Sequence, residues 1–446
     1  MKLLTVRLSA LLLLCMLLFA GTAYAIAPIS ADAGAAILAD AKSDTILYER
    51  NSREKMYPAS TTKIMTALLV LERGSLSDVV TMEEADYAGV TSASSSAGLK
   101  VSEEVTVETL LYGLMLPSGN EAANALARYV SGSTEAFVEL MNQRAKELGC
   151  VNTHFANPNG LHDDNHYTCA YDLYRIAKQA MTDETFCDIA NTAQKTLPAS
   201  NLQAERKVYT TNQLILRRSD PTYYTYCNGI KTGHTTPAGY CFVSAAEKKD
   251  SSLISVVLGC EAGENGEAAK SFTETIKLFD WGFDNFDYQT LVASGDNIAE
   301  IDVRLSSEKD YVVLASAGPV SGLVPNDIQP DSLTFSKHIP ESIDAPVKKG
   351  DVIGTLTVSQ GDTVYGTVDL VATTDVSLSK VLYYADKLET FCRSKYFLLV
   401  LSCVAALILL LFVVRGINRA RRRHSRRSRR YRSRYDSPNR ARRRGR

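Results

Sequence analysis

The stretch PASTTK at residues 58–63 runs directly into the apolar segment IMTALLVLE at residues 64–72. A proline suits the first turn of a helix, because its missing N–H would have no partner there in any case. We therefore expect a helix to begin here, with Ser60 near its N-terminus and Lys63 one turn further along on the same face. This spacing brings an amine within reach of a hydroxyl group.

Ser60 and Lys63 have the chemistry of a nucleophile and its base. A serine hydroxyl attacks poorly until a base takes its proton, and a lysine whose pKa is lowered can act as that base. The positive potential at a helix N-terminus also favours negative charge that develops there. The S-x-x-K pattern alone is weak, since it occurs four times, at Ser52–Lys55, Ser60–Lys63, Ser306–Lys309 and Ser377–Lys380. Of these, the match at Ser60 is the one that opens a long apolar helix.

Two further motifs, S-G-N and K-T-G, come after S-x-x-K in the chain. S-G-N at 118–120 lies between two helical segments, 107–116 and 121–130, where a break lets side chains point into a cleft. K-T-G at 231–233 is expected on an edge strand, where its glycine lets the backbone of a ligand lie close. Each motif alone is unspecific, because S-G-N also suits a plain turn between helices and K-T-G is a common tripeptide.

S-x-x-K, S-x-N and K-T-G in this order form the signature of penicillin-binding proteins and class A β-lactamases. With them, the chain resembles the low-molecular-weight penicillin-binding proteins, which are serine-type D-alanyl-D-alanine carboxypeptidases. The likeness extends over roughly residues 35–286 and is weaker through the β-rich region after residue 286. The segments that carry it include AAILADAKSDTILYERNSREKMYPASTTKIMTALLVLE, LLYGLMLPSGNEAANALA, FANPNGL with HYTCAYDL, GIKTGHTTPAGYCFVSAA and IKLFDWGFDNF.

This resemblance implies a reaction and assigns its catalytic groups. Ser60 attacks the carbonyl between the two D-alanines of a peptidoglycan stem peptide, D-alanine leaves, and water resolves the acyl-enzyme. Lys63 is the implied base, and the nearby positive charge of Lys231 lowers its pKa. Ser118 relays the proton to the leaving amine. β-Lactam antibiotics are expected to acylate the same serine.

The implied substrate-binding groups come from the same motifs. The side chain of Asn120 holds the substrate amide, and Lys231 and Thr232 meet the substrate carboxylate. Backbone N–H groups of Ser60 and His234 form the oxyanion hole, which usually accounts for a large share of catalysis. The full set of implied binding residues is Asn120, Lys231, Thr232, Gly233 and His234. The resemblance implies no cofactor.

The chain departs from the resembling family at one position. Members of that family commonly carry an arginine at the position where this chain has Ser271. That arginine is thought to hold the terminal carboxylate of the substrate. Lys270 precedes Ser271, but an ammonium group cannot copy the two parallel hydrogen bonds of a guanidinium. On a helix, Lys270 also points a quarter-turn or more away from Ser271. Its long side chain could bend the charge into the cleft, but the simpler interpretation is a solvated lysine. We therefore expect carboxylate binding to fall mainly to Lys231 and Thr232, with His234.

Two other functions stay open at this level. A β-lactamase needs a deacylating carboxylate, typically in an E-x-x-L-N pattern, and no such pattern lies between residues 120 and 231. A non-catalytic penicillin-binding scaffold would not need the complete set of motif residues that this chain carries. Both alternatives are therefore weaker than a carboxypeptidase, and the products of the reaction distinguish all three.

One loop contains four residues of metal-ligating types, His162, Asp163, Asp164 and His166. A zinc-dependent carboxypeptidase would need such a group. Acidic loop residues this close in sequence are usually solvated, however, and the loop matches the ordinary loop that precedes the HYT segment in the resembling family. We therefore expect no metal site here.

Helical and strand-like segments alternate through the first two thirds of the chain. Residues 35–41 and 45–50 are expected to pair as a β-hairpin, and 239–246 and 253–258 are predicted as two strands joined by a polar turn. Helices interleaved with antiparallel strands favour an α/β sandwich, and the resemblance implies the fold shared by β-lactamases and transpeptidases. After about residue 286, alternating β-branched runs indicate a small all-β domain.

The two ends of the chain predict export and membrane anchoring. Residues 1–25 have the positive flank, apolar core and A-x-A cleavage site of a signal peptide. Residues 396–414 are uncharged and apolar, and arginines follow at once, so the positive-inside rule places the body outside and the tail in the cytoplasm. Residues 415–446 hold sixteen Arg against one Asp. Such a tail suits a stop-transfer signal or contact with anionic lipid, and no folded module that would suggest nucleic-acid binding accompanies it.

The sequence therefore predicts a single-pass protein of the cell membrane with its catalytic body on the extracytoplasmic side. Its expected partners are stem peptides ending in D-Ala-D-Ala, β-lactams and membrane lipid. The predicted segments are a signal peptide at 1–25, a catalytic domain at 26–286, a β-rich domain at 287–379, a juxtamembrane helix at 380–395, a transmembrane helix at 396–414 and a cytoplasmic tail at 415–446.

Overall fold

The structure, a computed structural model, describes residues 28–216, 221–264, 269–361 and 363–435, with side chains described up to residue 423. The predicted signal peptide at 1–25 lies outside the described residues. The chain forms two compact units. The first contains the described residues up to 293 with 319–336 and 357–367, and the second contains 294–318, 337–356 and the described residues from 368 onwards.

The described strands and helices are named in chain order. The strands are β1 (Ala35–Asp40), β2 (Ile46–Arg50), β3 (Val79–Thr81), β4 (Glu104–Thr106), β5 (Gln194–Leu197), β6 (Arg206–Tyr209), β7 (Cys227–Thr235), β8 (Gly239–Lys248), β9 (Ser251–Cys260), β10 (Phe286–Val292), β11 (Asn297–Arg304), β12 (Tyr311–Ser316), β13 (Val320–Pro325), β14 (Thr334–His338), β15 (Ser342–Asp344), β16 (Val352–Gln360) and β17 (Thr363–Ala372). The helices are α1 (Lys63–Arg73), α2 (Val107–Met115), α3 (Asn120–Ser131), α4 (Thr134–Glu147), α5 (Ala170–Ala180), α6 (Glu184–Ala190), α7 (Gln213–Leu216), α8 (Lys270–Asn285), α9 (Lys380–Arg393) and α10 (Lys395–Tyr435).

A five-stranded antiparallel sheet, of order β2-β1-β9-β8-β7, forms the centre of the first unit. The predicted hairpin is confirmed, since β1 and β2 pair with Leu38 opposite Tyr48. The predicted pairing of the two later strands is confirmed as β8 and β9. In this sheet β7 pairs with β8 on one side and ends the strand order on the other, so the K-T-G motif lies on an edge strand as expected.

Two hydrophobic cores cover opposite faces of this sheet. Along β1, Ala35, Ile37 and Ala39 belong to one core, and Ala36 and Leu38 belong to the other, because successive side chains of a strand point to opposite faces. Helices α1 to α6 pack on the first face, and α7 and α8 pack on the second. A strand buried on both faces is typical of a sheet between two helical layers. The predicted α/β sandwich is confirmed.

Most strands predicted after residue 286 are found in the second unit, where β11 pairs antiparallel with β12 and parallel with the short strand β15. The C-terminal end of β17 pairs with β12, with Ala315 opposite Val371. Within the first unit, β10 pairs antiparallel with β13. The prediction of an all-β region before the C-terminal helices is confirmed.

Two helices, α9 and α10, end the described chain. Helix α9 begins at a Ser379 cap, whose hydroxyl accepts from the backbone N–H of Leu382. Within α10, residues Lys395–Arg423 are long and apolar enough to cross a membrane by length and composition. This is the one such helix among the described residues, and it contains the predicted span.

Candidate active site

Ser60 lies in a 3-10 turn, Ala59–Thr62, that leads directly into α1 at Lys63. The sequence predicted a helix start here, and the structure adds that the serine occupies the tighter turn before the regular helix. Ala59 enters this turn with φ of +49°, a left-handed conformation that side chains with a Cβ adopt rarely. The two threonine hydroxyls of the turn donate to carbonyls three residues earlier, at 2.7 and 2.8 Å. Strained backbone held by such bonds is frequent at active sites.

Lys63 is fully buried and lies at the centre of the motif residues. Its Nζ donates to Ser60 Oγ at 2.9 Å, to Asn120 Oδ1 at 2.7 Å and to the backbone carbonyl of Asn159 at 2.5 Å. Three acceptors match the three donors of an ammonium group. The structure therefore connects the S-x-x-K and S-G-N motifs through one side chain.

The two motif lysines have lowered pKa values. Burial, reinforced by the positive charge of Lys231, holds the pKa of Lys63 well below its ordinary value, while the carboxylate of Glu121 acts in the opposite direction. Burial lowers the pKa of Lys231 to about 7. A buried amine loses hydration that would stabilise its charge. Lys63 can therefore give up a proton far more readily than a solvated lysine, as a general base requires.

The S-G-N motif forms a strained turn at the start of α3. Ser118 has φ of +66°, and its buried hydroxyl makes no hydrogen bond within the part of the chain that the structure describes. The backbone N–H of Gly119 donates to Gly113 O at 2.9 Å, and that of Asn120 donates to Ser95 O at 3.0 Å. These bonds hold Ser118 in a conformation in which its hydroxyl is available for another partner.

The K-T-G motif on β7 packs directly against the Ser60 turn. A Cβ added at Gly233 would lie 2.8 Å from the backbone nitrogen of Ser60, so the close approach of strand and turn requires glycine here. The Nζ of Lys231 donates to the backbone carbonyl of Thr232 at 3.0 Å, and the Thr232 hydroxyl is bonded to that of Thr211. His234, at the exposed end, packs against the ring of Tyr240, with 4.2 Å between the ring centroids and a tilt of 31° between the ring planes.

The loop before α5 contributes contacts that the sequence did not reveal. Asn159 supplies a carbonyl to Lys63 and donates from its side chain to Asn124 Oδ1 at 3.0 Å. Gly160 comes next with φ of +83°, and a Cβ there would meet the carbonyl oxygen of Ala59 at 2.0 Å. The segment NPNG is part of the resemblance, but a glycine between an asparagine and a leucine in a loop gives no local signal of such a contact.

His166 joins the same loop to the Ser60 turn. Its Nδ1 accepts from the backbone N–H of Ala156 at 3.0 Å, so in the neutral ring Nε2 carries the hydrogen and donates to Thr62 Oγ1 at 2.7 Å. Burial lowers the pKa of His166 to about 4, which keeps this ring neutral at ordinary pH. In the sequence, His166 is one of four residues of metal-ligating types in this loop. In the structure, its ring is hydrogen-bonded to Thr62 and so connects the loop to the Ser60 turn.

The remaining residues of that loop do not gather around a common point. His162 lies 3.4 Å from Asp164 and packs edge-on against the ring of Tyr57, whereas Asp163 accepts from the backbone of Asn165. Among the described residues, no group of three or more His, Cys, Asp or Glu is arranged to hold a metal ion.

Two other S-x-x-K pairs have unrelated contacts. Lys55 lies over the ring of Tyr167, with 4.0 Å to its centroid. Lys309 donates from its Nζ to Thr374 Oγ1 at 3.1 Å on the surface. The spacing alone therefore does not join a lysine to its serine, and burial around Lys63 makes the difference.

Lys270 and Ser271, at the position where the resembling family commonly has arginine, begin α8. The Lys270 ammonium is bound by Asp32 and Glu261, each at 2.8 Å, and these bonds raise its pKa. Ser271 is almost fully buried. The lysine is thus neither freely solvated nor available as an unpaired cation.

Residues 22–262 match the protein family described as D-alanyl-D-alanine carboxypeptidase, peptidase S11. The chain belongs to this family. Residues 286–377 match the family described as the C-terminal domain of penicillin-binding protein 5. The predicted enzyme class is therefore confirmed as a serine-type D-alanyl-D-alanine carboxypeptidase of peptidoglycan metabolism, with a C-terminal β domain of the matching kind.

Curated relatives of this carboxypeptidase cover most of its length. It is 32% identical over 351 residues to the D-alanyl-D-alanine carboxypeptidase DacF of Bacillus subtilis, which covers 77% of this chain and 86% of DacF. It is 34% identical over 356 residues to DacC of Escherichia coli, with 76% and 84% covered. The similarity to these relatives therefore extends beyond the catalytic region into the C-terminal part of the chain.

Two solved structures are similar to this carboxypeptidase over most of its length. Penicillin-binding protein 5 of Haemophilus influenzae superposes with a TM-score of 0.63 at 29% identity, covering 79% of this carboxypeptidase and 100% of that chain. The carboxypeptidase DacD of Francisella tularensis gives 0.62 at 25% identity, covering 80% and 96%.

Proposed function

We propose that Ser60 is the nucleophile with which this carboxypeptidase removes the terminal D-alanine from stem pentapeptides, through an acyl-enzyme. The single observation that carries this assignment is the 2.9 Å hydrogen bond between Lys63 Nζ and Ser60 Oγ, made by a fully buried lysine with a lowered pKa. A nucleophile within hydrogen-bond reach of its base is the geometry that acyl transfer needs.

Acylation would begin as Lys63 takes the proton of Ser60 and the serine oxygen attacks the carbonyl of the penultimate D-alanine. The N–H groups of Ser60 and His234 would bind the resulting oxyanion, since donors placed where charge develops lower the barrier most. The hydroxyl of Ser118, which has no hydrogen-bond partner among the described residues, is suited to pass the proton to the leaving amine. D-alanine then departs, and water hydrolyses the ester to release the shortened peptide.

Substrate binding is assigned to the edge strand and to the S-G-N turn. An extended peptide can lie along the edge of β7 that ends the strand order of the sheet. Lys231 and Thr232 would meet its terminal carboxylate, and the Asn120 side chain would hold an amide of the stem. β-Lactams would occupy the same place and acylate Ser60.

Measuring D-alanine release and nitrocefin hydrolysis side by side tests this function. The full chain, purified in detergent, should release D-alanine from a peptide ending in D-Ala-D-Ala and should form a long-lived adduct with penicillin. Rapid nitrocefin turnover without D-alanine release would indicate a β-lactamase. Penicillin binding without turnover of either substrate would indicate a non-catalytic scaffold.

The departure at position 271 gives a prediction for carboxylate binding. Because Asp32 and Glu261 hold Lys270, Lys270→Ala should leave KM for a D-Ala-D-Ala peptide within about twofold. Ser271→Arg should lower KM and leave kcat nearly unchanged, as expected for added uniform binding. Steady-state kinetics measure both, and circular dichroism checks that the buried position tolerates arginine. An unchanged KM in Ser271→Arg with a sharply raised KM in Lys270→Ala would identify Lys270 as the substitute.

We also propose the organisation in which this enzyme works. Its segments are a cleaved signal peptide at 1–25, a catalytic domain at 26–286, a β-rich domain at 287–379, a helix at 380–395, a membrane span at 396–414 and a cytoplasmic tail at 415–446. The support is the apolar helix Lys395–Arg423 and the arginines after its apolar part. The body would lie outside the membrane, where peptidoglycan is.

Proteolysis from outside tests this topology. Protease added to intact, wall-stripped cells should remove the catalytic body and spare an epitope tag fused to the C-terminus. Permeabilised cells are the control, because there the tag should be digested too. Loss of the tag in intact cells would contradict the proposed orientation.

A further inference from the structure

Glu121 is a fully buried residue whose carboxylate has no role in the reaction proposed above. It is next to Asn120 in the first turn of α3. Its Oε1 accepts from Ser96 Oγ at 2.7 Å and from the backbone N–H of Ala97 at 2.6 Å. Its Oε2 is buried and makes no hydrogen bond within the described part of the chain. Carboxylates are rarely fully buried unless their charge is paired or hydrogen-bonded.

The first consequence of this arrangement is mechanical. Ser95 accepts from the backbone N–H of Asn120 at 3.0 Å, and a Cβ added at Gly119 would lie 3.0 Å from Ala97. The segment 95–97 therefore packs directly on the S-G-N turn, and Glu121 fastens it there with two hydrogen bonds. Hydrogen bonds to a charged acceptor are stronger than neutral ones.

The second consequence is electrostatic. The charged groups that act on Lys63 are Lys231 from β7 and Glu121 from α3. The charge of Lys63 in turn helps to lower the pKa of His166, in the loop before α5, whose ring is neutral. Glu121 also acts on Tyr87, whose hydroxyl is buried. Among the described groups that act on Lys63, Glu121 provides the negative charge.

We propose that Glu121 is a positioning residue for the carboxypeptidase reaction, because its carboxylate both fixes the 95–97 segment on the S-G-N turn and supplies a buried negative charge that acts on Lys63. The proposal rests on the assignment of Lys63 as base. With Glu121 in place, the ammonium form of Lys63 keeps its bonds to Ser60, Asn120 and Asn159, and the amine is basic enough to take the proton of the serine. Without this charge, the lysine would be a weaker base.

The test compares Glu121→Gln with two matched variants of the full chain. Glu121→Gln keeps the shape and the acceptor for Ser96 and Ala97 but removes the charge. Glu121→Asp keeps the charge. Glu103→Gln removes the charge of another fully buried glutamate, which is bonded to Ser200 and Gln203 and does not act on Lys63.

The readout is the pH dependence of the acylation rate with benzylpenicillin, together with kcat/KM for a D-Ala-D-Ala peptide. In Glu121→Gln, the acidic limb of both profiles should move to lower pH by about half a unit or more, with a plateau lowered about tenfold. The limb should stay at its wild-type position in Glu121→Asp and in Glu103→Gln. Loss of structure alone would lower the plateau without moving the limb.

An unshifted limb in Glu121→Gln, or a shift that Glu121→Asp shares, would overturn the proposal. If Glu121→Gln does not fold, Ser96→Ala is tested instead. This variant keeps the charge of Glu121 and removes the hydrogen bond between Ser96 and Glu121. The proposal then requires slower acylation with an unshifted limb, and an unchanged rate overturns it. Wild-type enzyme that is not acylated at all would instead contradict the proposed function.

Discussion

Ser60→Ala is expected to abolish labelling by fluorescent penicillin and to lower D-alanine release at least about 10³-fold, because no oxygen remains to form the acyl-enzyme. The fold should be unaffected. The Ser60 side chain contributes one described hydrogen bond, which it accepts from Lys63, and Lys63 keeps its two other acceptors. The melting temperature should therefore stay within about 2 °C of the wild-type value.

The matched control for this experiment is Ser306→Ala, at another S-x-x-K match in the same chain. Ser306 accepts from backbone N–H groups of the turn that it begins, on the surface. This variant should be labelled like the wild type. Labelling of Ser60→Ala at the wild-type level would contradict the assignment, and the serines of the other three matches would then require the same test.

The motif triad could be found from the sequence because its chemistry depends on residue type and local spacing. Ser60 and Lys63 are three residues apart, so one turn of any helix brings them together. The hairpin of β1 and β2 is also predictable from local signals, since two apolar runs flank a polar turn. Even so, it was the resemblance, not spacing, that joined Lys63 with Asn120 across 57 residues of sequence.

The rest of the site depends on contacts that no local pattern encodes. Asn159 is 96 residues from Lys63 along the chain, and His166 is 104 from Thr62. A loop asparagine whose carbonyl binds an ammonium has the same sequence appearance as one exposed to water. Glu121 resembles an ordinary charge in the first turn of a helix, which is favourable at any helix N-terminus. Its importance emerges only when its complete burial is known.

The two buried lysines combine a requirement of catalysis with a penalty in stability. An amine that is harder to protonate in the fold than in the unfolded chain destabilises the fold at every pH at which the unfolded chain binds the proton, and stability changes with pH where the two states differ in bound protons. For Lys231, the pKa is about 7 in the fold against the ordinary 10.5, so the two states differ in bound protons between these values. Stability is lost as pH falls through this window, and the full penalty is present at and below pH 7.

Lys231→Met should therefore inactivate the enzyme and stabilise it. Acylation by penicillin should fall about 100-fold or more, because the substrate carboxylate loses its cation and Lys63 loses the neighbouring charge that lowers its pKa. The melting temperature at pH 7 should rise by several degrees, since methionine fills a similar buried volume without a charge.

The pH dependence separates this electrostatic effect from better packing. At pH 10 the amine of wild-type Lys231 is already neutral in the fold, so the advantage of Lys231→Met should shrink towards zero, whereas improved packing would persist at both pH values. Lys270→Met is the control, because that ammonium is paired with Asp32 and Glu261 and its removal should not raise the melting temperature. Calorimetry at pH 7 and pH 10 measures all three proteins. A melting temperature for Lys231→Met that falls at pH 7, or that rises equally at both pH values, would show that the buried charge of Lys231 does not destabilise the fold.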